Sequence, residues 1–201
     1  MATKIILIRH ARTSWNSRGI YCGSTDIGLS ALGKKQARLL SRRMNNGFQI
    51  EKVFCSNKRR AMETAQIVFK GKPIRKVRDL RELHFGCLEG LTHREIMTKY
   101  PAAYSRWLND PFSARLPRGE DARLFKKRVL RAFKKIAFAN KNKTVAIVTH
   151  GGVIAVLLTR VLKKNNFWKL IPGSTSISII EFGARMQPRA RILNDTEHLN
   201  G

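Results

Sequence analysis

Ile5-Ile6-Leu7-Ile8-Arg9-His10-Ala11-Arg12-Thr13-Ser14-Trp15-Asn16 is a short apolar run that stops abruptly at an arginine and a histidine. Four consecutive β-favouring residues predict a fully buried strand in preference to a helix. The end of such a strand delivers Arg9 and His10 to the carboxyl edge of a sheet, the crevice where open α/β folds bind ligands. A guanidinium, an imidazole and the Asn16 amide gathered there suit a phosphate, because arginine binds its oxygens in bidentate fashion and neutral imidazole attacks phosphorus. Alone, the stretch also admits a plainer reading, an edge-of-sheet pair with no chemistry.

The pattern recurs downstream. Val145-Ala146-Ile147-Val148-Thr149 reads as a buried strand, ends at His150-Gly151-Gly152 and leads into an apolar helix, Val153 to Leu162. An imidazole and free backbone N–H groups at a helix N-terminus make a place that binds anions. Between the two runs, Ser30 caps a helix to about Met44, with Asn45-Asn46-Gly47 as its stop. Val53 to Cys55 reads as a second strand, with Ser56 or Asn57 capping a helix that carries Arg60, and Ile74 to Val77 as a third. Asp79 to Gly90 reads as a loop with two carboxylates, Glu82 and Glu89.

Helical pieces at Thr92 to Tyr100 and Ala102 to Leu108 precede turns at Asp110-Pro111 and Pro117-Arg118-Gly119. A basic helix from about Asp121 to Ala139 carries one apolar stripe, Phe125, Val129, Ala132, Phe133 and Ile136. Ser176 to Phe182 and Arg189 to Leu193 read as late strands at the sheet edge, with a loose tail from Asn194. This alternation predicts an α/β protein, a three-layer αβα sandwich with a mostly parallel central sheet. It would place His10, His150, Arg9 and Arg60 around one crevice. Singly, His150 could be a structural histidine, Arg60 a surface residue and Glu82 a loop acid.

A chain of 201 residues, 43% hydrophobic, has room for one sizeable domain. Cys22, Cys55 and Cys87 are far apart in sequence and form no zinc or redox motif, which suits reduced, mostly buried thiols in a cytoplasm. No apolar run approaches ~18 residues and the N-terminus enters a strand directly, so neither a membrane span nor a signal peptide is expected. Forty Lys and Arg against 13 Asp and Glu give a net charge of +27, a balance that suits polyanions. The cations are dispersed along the chain and do not interleave with stacking aromatics. The expectation is a generally cationic surface that meets nucleic acid without sequence preference at low salt, competing with substrate there.

Taken together, the motifs make the chain resemble the histidine phosphatase superfamily, the phosphoglycerate-mutase-like family, over nearly its full length. Arg9 to Asn16 resembles its Arg-His-Gly motif with the trailing Trp-Asn, and Tyr21, Gly23, Asp26, Leu29, Ser30, Gly33, Gln36 and Ala37 follow the pattern downstream. Ser56, Arg60, Ala61, Thr64 and Ala65 resemble the second-strand motif, and Thr149 to Val153 the second-histidine motif. Leu80-Arg81-Glu82, Phe85-Gly86, Glu89-Gly90 and Pro117 to Asp121 look most like the branch of α-ribazole phosphatases and small broad-specificity phosphatases.

The resemblance implies a single domain over 1–201 with a helical cap-like insertion at about 86–120. It implies a metal-independent phosphatase needing no cofactor, acting on a small phosphorylated substrate, as monomer or homodimer. His10 would be the nucleophile, Glu82 the acid and His150 a further catalytic group; Arg9, Asn16, Arg60 and Gly151 would hold phosphate. Thr13, Tyr21, Cys22 and Gly23 would be substrate-pocket candidates. Ala11 departs from the usual Gly and requires a negative φ there, Arg12 from Glu or Gln, and Cys87 from Trp. Arg118 stands for Gly and Asp121 for Ser, both expected near the pocket mouth. A mutase that returns the phosphoryl group to a reoriented product, and a nucleic-acid-binding protein without catalysis, are the alternatives.

Overall fold

The computed structural model describes residues 2–164 and 166–200. Strand β1 (Thr3–Arg9) buries side chains on both faces, Ile5 and Leu7 in one hydrophobic core, Ile6 and Ile8 in a second. A strand with two covered faces has no solvent side to alternate toward, which is why its sequence is continuously apolar. The four-residue helix α1 (Ser14–Ser17) follows, then α2 (Ala31–Gly47), β2 (Lys52–Cys55), α3 (Arg59–Val68) and β3 (Ile74–Lys76). Next come α4 (His93–Lys99), α5 (Pro101–Asn109) and α6 (Ala122–Phe138). The chain closes with β4 (Thr144–Thr149), α7 (Gly151–Leu162), β5 (Ile177–Phe182) and β6 (Pro188–Asp195).

Among the described residues the sheet runs β3-β2-β4-β1-β5-β6. β3, β2, β4 and β1 are parallel; β5 and β6 are antiparallel. α2 and α3 cover one face through Ala37, Leu40, Met44, Ala61 and Val68. On the other face, α6 contributes the stripe Phe125, Val129, Phe133 and Ile136, and α7 contributes Val153 to Leu158. These are the three layers expected from the sequence. No described helix is long and apolar enough to cross a membrane.

Local signals resolve with some corrections. Ser30 Oγ caps α2 by accepting from the Gly33 N–H at 3.0 Å. Neither Ser56 nor Asn57 caps α3, whose N-cap is Lys58 with no side-chain bond; the Ser56 hydroxyl has a different partner in the site. Of the two late strands, β5 is interior and β6 lies at one edge of the sheet, with β3 at the other. The tail expected to be loose is docked: Asn194 Oδ1 accepts from the Gly173 N–H at 2.7 Å, and Arg43 on α2 pairs with Asp195. Only Cys55 is buried; Cys22 and Cys87 are half-buried, and all three thiols are free.

Ala11 has no positive φ, as required of a Cβ-bearing residue in a place usually held by Gly. Arg118 is the opposite case, at φ +55° on an exposed turn. Neither it nor Asp121 lines the cleft described below; Asp121 caps α6, accepting from the Arg123 N–H at 2.8 Å. A left-handed residue with a Cβ costs about 1–2 kcal/mol, and the greater unfolded freedom of glycine returns about 0.5–1 of it. Arg118→Gly should therefore stabilise the protein by about 0.5–1 kcal/mol, raising Tm by about 1–4 °C. A calorimetric Tm equal to or below the parent's would contradict the strain assigned to this turn.

Candidate active site

β1 and β4 are adjacent, parallel and flush, with Arg9 paired to Thr149, so the next residue of each is a histidine at the carboxyl edge. The His10 N–H continues the ladder to Thr149 O at 2.8 Å. After β1 the chain turns to the α2 face, and after β4 to the α7 face, which opens a crevice between the two strand ends. The imidazoles of His10 and His150 meet there edge to face, with centroids 5.2 Å apart.

Hydrogen bonding fixes the His10 tautomer. Its Nδ1 lies 2.8 Å from Ala11 O, and a carbonyl oxygen only accepts, so the proton is on Nδ1 and Nε2 keeps its lone pair. Burial pushes its pKa well below the ordinary histidine value, and the charges of Arg60 and Arg9 push in the same direction. His10 is thus neutral at pH 7, with an unprotonated ring nitrogen. His150 is likewise held neutral by burial and by Arg60. Its Nε2 bonds Ser56 Oγ at 2.8 Å, which accounts for a serine at the end of β2.

Two guanidiniums stand behind the imidazoles, and neither has a carboxylate partner among the described ion pairs. Arg60 is 1% exposed and donates to Thr25 O at 3.0 Å, Gly23 O at 2.9 Å and Cys22 O at 3.3 Å. Arg9 donates to Pro172 O. Glu89 shapes the carbonyl loop that receives Arg60: its carboxylate accepts from the Ser24 and Thr25 N–H groups at 2.7 and 2.8 Å and from both hydroxyls. Arg9 Nε, Arg60 Nε and His150 Nδ1 are buried with no hydrogen-bond partner among the described residues, and all belong to this cluster. Such a set of unmatched nitrogens fits a bound oxyanion.

Glu82 is the one acid directed at the cluster. Its Oε2 accepts from the Gly152 N–H at 2.8 Å and its Oε1 from the Leu83 N–H at 3.0 Å. A Cβ at Gly152 would stand 2.5 Å from Glu82 Oε1, so the second glycine of His-Gly-Gly makes room for this carboxyl. The backbone of Glu82 is pinned by Arg128, whose Nη2 donates to Glu82 O at 3.0 Å. Arg128 also donates to Asp79 O and Arg81 O and pairs with Glu120 at 2.7 Å.

These groups open onto a cleft of about 750 Å³. Of the residues singled out from the sequence, Arg9, His10, Asn16, Tyr21, Cys22, Glu82 and Gly151 line it. Asn16 Oδ1 is taken up by the Thr13 N–H and hydroxyl, which leaves its Nδ2 donors for a ligand. Arg60 and His150 do not line the cleft and lie buried behind it.

Thr13 and Gly23 are not pocket residues. Thr13 is fully buried as the N-cap of α1, and Gly23 passes so close to the next loop that a Cβ would stand 2.0 Å from Leu83 O. The sequence reading missed the aromatic wall formed by Phe85, Trp107, Phe112, Phe125, Phe167 and Trp168, and the closure supplied by Thr196 and Leu199 of the tail. Arg12 and Gln36 also line the cleft. Among the described residues no group of three or more His, Cys, Asp or Glu is gathered as a metal site.

Residues 5–196 match the family model described as histidine phosphatase superfamily (branch 1). A metal-independent phosphoserine phosphatase of Arabidopsis thaliana is 32% identical over 87% of this chain and 75% of its own. The adenosylcobalamin/alpha-ribazole phosphatase of Escherichia coli is 32% identical over 79% of each chain. Among solved structures, Bacillus stearothermophilus YhfR superposes with a TM-score of 0.91 at 32% identity, over 98% of this chain and 100% of that one. With the paired histidines, the uncompensated guanidiniums and the neighbouring acid in place, these matches establish that the chain belongs to the histidine phosphatase superfamily and is a phosphatase.

Proposed function

We propose that this phosphatase hydrolyses small phosphomonoesters through a phosphohistidine on His10, without a metal ion, and prefers a bulky, largely apolar leaving group. The observation that carries the reading is the His10 tautomer. A neutral imidazole with Nδ1 bonded to Ala11 O presents Nε2 as nucleophile. Attack forms the Nε2–P bond and breaks the ester P–O bond. The negative charge on the equatorial oxygens meets Arg9, the Asn16 Nδ2 and the Gly151 N–H at the start of α7, backed by the buried Arg60 and His150. Protonated Glu82 gives its proton to the departing alkoxide. As carboxylate it then takes a proton from the water that attacks the phosphohistidine and releases phosphate.

The cleft wall supports the substrate preference. Phosphoserine carries an ammonium that needs an ionic partner when desolvated. Among the described lining residues Glu82 is the sole acid, and it is engaged at the reacting centre. Tyr21, Phe85, Trp107, Phe112, Phe167 and Trp168 offer instead an apolar surface suited to a heteroaromatic or other bulky group, as in α-ribazole 5′-phosphate. A panel of phosphomonoesters tests this: kcat/KM for nucleoside-like or aryl-bearing esters should exceed that for phosphoserine by about tenfold or more. The reverse order would overturn the preference.

Proton donation matters only when the leaving group needs a proton. Glu82→Gln should slow an alkyl phosphate by about 10²-fold or more while slowing p-nitrophenyl phosphate far less. Equal losses on the two substrates would remove Glu82 from the acid role.

A pH series checks the neutral imidazoles. His10 and His150 have folded pKa values below the unfolded value of about 6.5, so the unfolded chain binds more protons in the window below it. Their contribution to stability is complete above pH 6.5 and is lost as the pH falls. The urea midpoint should decline from pH 7 to pH 5, and the acid limb of kcat/KM should lie below pH 6.5. An acid limb above pH 6.5 would mean that His10 is not held neutral.

A further inference from the structure

Cations that are scattered along the sequence are gathered by the fold into a second groove. It has a volume of about 660 Å³ and lies between the sheet edge at β3 and the C-terminal half of α6. Its floor is apolar, with Phe54, Val77, Ala132 and Ile136. Its rim carries Lys52, Arg75, Lys76, Arg78, Arg131 and Lys135, against one lining carboxylate, Asp79, which pairs with Arg131 at 3.0 Å. It shares no lining residue with the catalytic cleft.

The rim continues along α6. Arg123, Lys127, Arg131 and Lys135 recur every fourth residue on its exposed face, one row of like charge stepping about 6 Å along the helix axis each time. Like charges at that spacing destabilise a helix, so an external anion would relieve them. One turn beyond Lys135 stands Phe138, 47% exposed, with the ammonium groups of Lys134 and Lys141 at 5.7 and 5.8 Å from its ring centroid. An exposed aromatic ring flanked by cations, next to a basic groove, combines the two elements of a single-strand platform: charges that track phosphates and a face on which a base stacks.

We propose that this groove, with the cationic row of α6 and Phe138, binds single-stranded nucleic acid. A single strand is the occupant because it alternates phosphates with unpaired bases that can meet the apolar floor and the Phe138 face, whereas a duplex hides its bases and a run of acidic side chains carries no ring of its own. The ligand is held by its phosphodiesters and base faces without sequence reading, at a place separate from the chemistry.

The test is fluorescence anisotropy of the full chain with a labelled 20-mer of deoxythymidine in 0.15 M salt. Binding at about 10 μM or tighter is expected, with log K falling against log salt at a slope of about −3 to −4, as for four to six phosphate contacts on a single strand. Arg75→Glu combined with Lys135→Glu should weaken binding at least tenfold, and Phe138→Ala at least about fivefold. In both variants the rate on p-nitrophenyl phosphate should stay at the parental value, which also shows that they are folded. Saturating oligonucleotide should leave that rate unchanged in the parent.

Affinity untouched by these substitutions, tighter binding of a duplex or of polyglutamate, or competitive inhibition of the phosphatase that persists in the double variant would each overturn the proposal. The last outcome would place the oligonucleotide in the catalytic cleft.

Discussion

The burial of two guanidiniums without carboxylate partners is the constraint on which the site depends. Arg60 donates to three main-chain carbonyls and Arg9 to Pro172 O, neutral acceptors that leave the charge of both uncompensated and the Nε of each without a partner among the described residues. In a low-dielectric pocket that residual charge repels protons from the two imidazoles and attracts a phosphoryl group. Burial and this field together keep both imidazoles neutral. Much of the surrounding loop structure serves this arrangement. Glu89 fixes Ser24 and Thr25 so that their neighbourhood presents oxygens to Arg60, and Thr64 Oγ1 links Arg60 O, at 2.7 Å, to the Ala11 N–H, at 3.0 Å.

Glu82 is positioned by a separate and equally buried device. Arg128 is 7% exposed and gathers Asp79 O, Arg81 O and Glu82 O around one guanidinium, with Glu120 as counter-ion. Long core helix α6 is thereby tied to the short segment that carries Glu82. The α7 N-terminus adds the Gly152 N–H to the carboxyl itself. His10 and Glu82 thus arise from different strands and loops, yet both are anchored to rigid elements, which holds the two groups to a fixed geometry.

Much of this was legible in the sequence because it rests on short-range signals. Doubly buried strands are written as unbroken apolar runs, and a run that ends in Arg-His or His-Gly-Gly marks the carboxyl edge of the sheet where those side chains gather. Thr13 and Gly23 adjoin cleft-lining residues in a motif but stand outside the lining, because their own tasks, a helix cap and a tight loop crossing, depend on partners that spacing does not reveal. The aromatic wall was invisible for a related reason. Phe85, Trp107, Phe112, Phe125 and Trp168 come from separate segments with no common period and converge only through tertiary packing. The docked tail depended on Arg43, distant in sequence from Asp195.

We propose that phosphoryl transfer passes through Nε2 of His10. Rapid acid and base quenching of the enzyme during turnover of a ³²P-labelled phosphomonoester, followed by peptide mapping, tests it most directly. The label should be acid-labile and base-stable, confined to the peptide containing His10 and absent from His10→Ala, which should retain the parental fold and far less than a tenth of its rate. Label on another residue, or a His10→Ala enzyme that keeps a tenth of the parental rate, would contradict it.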